Sequence, residues 1–128
     1  MVSQQLSDQV SYETAGDIGI WTVDDMETAL ESGELEPGEE HFRKEAGRDS
    51  MNAAVVVVGG AENLSKDALE HVSDQWTALA EQTGIDATAY VADGLGRLAI
   101  SNKNEAEGMD TKGFKDRDSA LDWARTYQ

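Results

Sequence analysis

Six consecutive apolar residues, Ala53-Ala54-Val55-Val56-Val57-Val58, constrain this chain more than any other feature. The run is rich in β-branched side chains, too short for a buried helix, and bounded by Asn52 on one side and Gly59-Gly60 on the other. A run of that kind reads as a strand covered on both faces, the usual situation at the centre of a partly parallel sheet. It therefore demands a layer above and a layer below, and the flanking segments supply candidates for both.

Upstream, Val10-Ser-Tyr12-Glu-Thr14 alternates apolar and polar residues, Ala15-Gly16-Asp17 brings turn chemistry, and Ile18 to Val23 resumes in β-formers. Together these predict an opening antiparallel hairpin. Asp24-Asp25 then offers a cap for a short helix carrying Met26, Ala29 and Leu30, which Ser32-Gly33 breaks. A second helical piece has Pro37 in its first turn, Phe42 and Ala46 on its inner face, and ends near Gly47. Its charged residues Glu39, Glu40, Arg43, Lys44 and Glu45 read as solvent-facing.

Downstream, Leu64 to Thr83 predicts the longest helix, with Leu69, Val72, Trp76, Leu79 and Ala80 in one stripe and Gly84 as its cap. Ala87 to Ala92 reads as a second strand, Asp93-Gly94 as a turn, and Leu95, Leu98 and Ala99 as a short helix. A polar loop over 102–107 precedes an edge strand at Thr111 to Phe114. Asp116 or Asp118 caps a closing helix with Ala120, Leu121, Ala124 and Tyr127 inward. Alternating strand and helix imply right-handed parallel crossovers. The expected fold class is α/β, a mixed β-sheet with an antiparallel hairpin followed by parallel crossovers, flanked by helices. With 128 residues there is room for a single domain over 10–128, preceded by a polar, flexible tail over 1–9.

Charge narrows the possible partners. Asp and Glu total 26 against 10 Lys and Arg, a formal net charge of -16, and the acids are spread along the chain. Such self-repulsion opposes folding in dilute buffer and is screened by concentrated salt, so the chain reads as halophilic. Nucleic acid is excluded as a partner because phosphate binding needs a basic stripe, and the basic residues here are scattered. There is no cysteine, hence no disulfide framework and no thiol nucleophile. Neither a signal-like apolar core nor a run of membrane-spanning length occurs, which points to the cytoplasm and to no membrane span.

Catalytic motifs are missing. Gly59-Gly60-Ala61-Glu62 lacks the lysine of a phosphate loop and reads as a strand-to-helix turn needing glycine for positive φ. Gly94-Leu95-Gly96-Arg97 is a lone glycine pair beside one cation. His41 and His71 have no ligand partner at metal spacing, Ser65, Ser73, Ser101 and Ser119 lack a nucleophile-elbow context, and no cofactor is implied. Trp76 and Trp123 sit among apolar neighbours, where core packing is the ordinary role.

The order of elements from about Tyr12 to Tyr127 resembles the SpoIIAA-like branch of the STAS superfamily, the domain named for sulphate transporters and anti-sigma-factor antagonists. The residues that carry it are Gly16-Asp-Ile-Gly-Ile-Trp-Thr-Val-Asp-Asp-Met, Val55-Val-Val-Val and the closing Gly113-Phe114-Lys-Asp116-Arg-Asp-Ser-Ala120-Leu121-Asp-Trp123-Ala124. Sigma-regulating members carry a phosphorylatable serine in an Asp-Ser-Ser-Gly-like turn after the central strand. The corresponding stretch here, Glu62-Asn63-Leu64-Ser65-Lys66, keeps Ser65 but not the aspartate or glycine. The resemblance implies a non-enzymatic regulatory or protein-interaction domain. Its working surface would be at the C-terminal ends of the parallel strands, on Gly60, Asn63, Ser65, Gly94 and Arg97. The alternative is a carrier for a small apolar or lipid ligand, with a pocket between sheet and helices lined by Trp21, Trp76 and Leu98.

Overall fold

The computed structural model describes residues 3–7, 9–15, 18–47, 53–59, 66–91, 110–114 and 116–127. Strand β2 (Val10–Ala15) pairs antiparallel with both β1 (Ser3–Gln5) and β3 (Ile18–Val23), and β4 (Ala53–Val58), β5 (Ala87–Val91) and β6 (Asp110–Phe114) continue parallel to β3. The six strands stand side by side in chain order. The fold is the expected α/β class, with the apolar run as an inner strand whose side chains are buried except for half-buried Val57.

The first strand was not expected. Residues 1–9 read as a tail because Ser3-Gln4-Gln5 is polar and has no alternation, yet Ser3 to Gln5 pair with Glu13 to Ser11. An edge strand of this kind is held by backbone hydrogen bonds, which leave no hydrophobic signature. The turn that follows is pinned by Leu6 and Ser7 N–H donating to the Val10 carbonyl and by Ser7 Oγ donating to the Glu34 carbonyl at 2.8 Å.

Helices α1 (Met26–Ser32) and α2 (Leu35–Ala46) connect β3 to β4. Asp25 caps α1 by accepting from Thr28 N–H, and Gly33 ends it in the left-handed conformation at φ 78°. From β4 to β5 the chain runs through α3 (Lys66–His71), a π-helical turn (Val72–Trp76) and α4 (Thr77–Thr83), ending at Gly84 with φ 69°. Helix α5 (Arg117–Arg125) closes the chain, capped by Asp116, which accepts from Ser119 N–H at 2.8 Å. That bond holds the Asp116 carboxyl below its ordinary value. No described helix is long and apolar enough to cross a membrane.

Crossovers of one hand that always step to the next strand leave their helices on one face. Accordingly α1 to α4 cover one side of the sheet, over Val10, Val23, Val56, Val58 and Tyr90. Helix α5 covers the other, over Ile18, Ile20, Val55, Ala87 and Ala89. Gly59, where β4 leaves the sheet, does not have positive φ. It is glycine because a Cβ there would fall 1.9 Å from the Asp24 carbonyl oxygen. Its own N–H and C=O tie it to Val23 and Met26, so close approach rather than turn conformation selects the residue.

Candidate functional site

The α1 to α4 face carries a polar cluster in a largely apolar layer. Where α2 crosses β2, Gly38 brings the helix close, since a Cβ at this position would meet Val10 Cγ1 at 2.6 Å. The next residue, Glu39, reaches toward the α3–α4 segment. Its Oε2 accepts from Trp76 Nε1 at 2.8 Å and is paired with His71 Nε2. The side chains of Glu39 and His71 are 22% and 20% exposed, which leaves the pair partly desolvated.

The π-helical turn explains how two residues five apart serve one carboxylate. In a regular α-helix they would be rotated by about 140°. The wider i→i+5 turn over Val72–Trp76 brings His71 and Trp76 onto one line facing α2. Trp76 also stacks on Tyr90 of the sheet, with ring centroids 6.0 Å apart and planes 8° from parallel.

Beneath this cluster lies an apolar cavity of about 50 Å³ between helices and sheet, with Trp21, Leu35, Phe42, Val56, Trp76 and Tyr90 in its wall. Above it runs a polar groove of about 410 Å³ between α2 and α3–α4, lined among others by Glu36, Glu39, Arg43, His71, Gln75 and Gln82. Glu39, Leu35 and Leu79 line both spaces, so the two are neighbours across α2 and α4.

At the far wall Trp21 Nε1 donates to His41 Nδ1 at 3.1 Å, and the Tyr12 ring stands 4.3 Å from the imidazole. An accepting Nδ1 requires the tautomer protonated on Nε2. Burial pushes the His41 imidazole below its ordinary value, opposed by Glu45 and reinforced by Lys44. His41 is thereby a neutral acceptor that fixes the Trp21 ring.

Of the residues named for a pocket between sheet and helices, Trp21 and Trp76 line the small cavity, whereas Leu98 lies outside the described residues. So do Gly60, Asn63, Ser65, Gly94 and Arg97. The sequence reads Glu39 as a solvent-facing acid and His71 as a histidine without a partner at metal spacing, and the structure makes them the polar centre of this face. One signal was available: Leu35, Glu39, Phe42 and Ala46 follow a 4-3-4 spacing, so the carboxylate occupies a position on the helix's inner stripe. Among the described residues no three His, Cys, Asp or Glu side chains converge in a metal-binding group. No family model, curated protein or solved structure matches the chain.

Proposed function

We propose that this chain is a non-enzymatic binding domain of the SpoIIAA-like STAS kind, and that it takes a small ligand between its sheet and its α1 to α4 layer. The observation that carries the reading is the apolar cavity walled by Trp21 and Trp76, beside a groove of ligand-pocket size that shares Glu39 in its lining. A chain with a purely structural core would close such a space, because voids forfeit packing energy and an acid on the inner stripe must be compensated. The strand order, an antiparallel opening followed by sequential parallel strands, supports the kinship. The spread of acids supports work in concentrated salt, in the cytoplasm.

A protein-interaction role has support of a different kind. Strands β4 and β5 are parallel neighbours, so the chain leaves both along one sheet edge, where α/β folds gather their binding loops. A partner there would meet Gly60, Asn63, Ser65, Gly94 and Arg97. Protein purified from its host at native salt, then denatured and extracted for mass spectrometry, separates the two. A stoichiometric small molecule supports the ligand reading; a stoichiometric second chain with no small molecule overturns it in favour of the interaction module.

A further inference from the structure

We infer that the ligand is a small organic ammonium ion, with a short apolar tail in the cavity and its charged nitrogen at Glu39; this rests on the ligand reading above. Size sets the first limit. A cavity of about 50 Å³ is far below the roughly 150 Å³ that holds a benzene ring, so it admits a few alkyl carbons and no aromatic ring. The groove of about 410 Å³ leaves space for a polar body.

Charge sets the second limit. Both bonds made by Glu39 go to Oε2, which leaves Oε1 as the remaining acceptor of a side chain that lines both spaces. Glu36 and Glu40 line the same groove, and its Arg43 is already paired with Glu40. An anionic head group would face three carboxylates. A neutral hydroxyl would make a bond in which only the acceptor is charged, whereas an ammonium donates to Oε1 with both partners charged and so with full charge complementarity. His71 and Trp76 hold the carboxylate in place without using that oxygen.

The test uses three probes with one branched tail and different heads: isobutylammonium, isobutanol and isobutyrate. Each is titrated into the folded chain in concentrated KCl while the Trp76 indole N–H signal is followed by NMR. Isobutylammonium should move that signal and bind about tenfold more tightly than isobutanol, with no binding of isobutyrate. Glu39→Gln keeps an acceptor for Trp76 and should lower ammonium affinity by about tenfold while leaving isobutanol unchanged. Isobutanol or isobutyrate binding as well as the ammonium, or Glu39→Gln leaving all affinities alone, would overturn the ammonium class and leave the pocket standing. No Trp76 response to any of the three would overturn both readings.

Discussion

The two faces of the sheet are built from different materials. Under α5 the sheet presents Ala53, Ala87 and Ala89 beside Ile18, Ile20 and Val55, and the helix answers with Ala120, Leu121 and Ala124. Small side chains on both partners let the helix lie close. An ion pair between Arg117 and Glu13 adds a polar link to this layer. Under α1 to α4 the sheet instead presents Trp21, Val56, Val58 and Tyr90, and the helices bring Trp76 and the Glu39 carboxylate. Large rings leave gaps that small residues do not, and their N–H groups need partners. One face reads as a packed floor and the other as a layer that gives up packing for a polar centre and a cavity.

The acids sharpen this contrast first. Glu27, Glu31, Asp67, Glu70 and Asp74 line a groove between α1 and α3, whereas α5 carries Asp118 and Asp122 beside Arg117 and Arg125. Lowering KCl from molar to dilute should therefore unfold the chain, with α1 and α3 losing hydrogen-exchange protection before α5. Equal thermal midpoints at the two salt levels would contradict this.

Trp76 gives the next largest effect. Trp76→Ala should cost about 3–5 kcal/mol in a denaturant titration, since it removes a buried ring and one donor from Glu39. Trp76→Phe keeps most of the ring and should cost about 1–3 kcal/mol, the share expected for a hydrogen bond to a charged group. No measurable loss for Trp76→Phe would mean that the indole N–H contributes nothing.

His41 gives the smallest effect. Its folded-state pKa lies below the unfolded value, so the unfolded chain binds the extra proton. The stability this brings is complete above the ordinary histidine range and is lost as pH falls through the folded-state value. His41→Asn offers Trp21 another acceptor without titrating, so wild type should lose stability relative to the variant as pH falls through and below the ordinary histidine range. Parallel curves would contradict the assigned role.

Most of the fold was legible because its signals are local. The Val55–Val58 run, the caps Asp25 and Asp116 and the stop at Gly33 each write a boundary into adjacent residues. Strand β1 was not legible, because backbone pairing at a sheet edge leaves no side-chain pattern. Only half of the described site could be read. Trp21 and Trp76 announce themselves as large apolar residues in β and helical stripes, whereas the Glu39–His71 pair depends on a contact 32 residues apart and on a π-helical turn that the 3.6-residue period conceals. Gly59 shows a third limit, since its need for glycine comes from the Asp24 carbonyl on the neighbouring strand's exit.

The central claim is that Glu39 organises the α1 to α4 face through the Trp76 N–H, and indole hydrogen exchange tests it most directly. In wild type at molar KCl the Trp76 and Trp21 indole protons should exchange slowly and that of half-buried Trp123, on the α5 face, quickly. In Glu39→Ala the Trp76 proton alone should lose its protection, with Trp21 still held by His41. A Trp76 indole that exchanges as fast as Trp123 in the wild-type chain, or is unmoved by Glu39→Ala, would contradict the account.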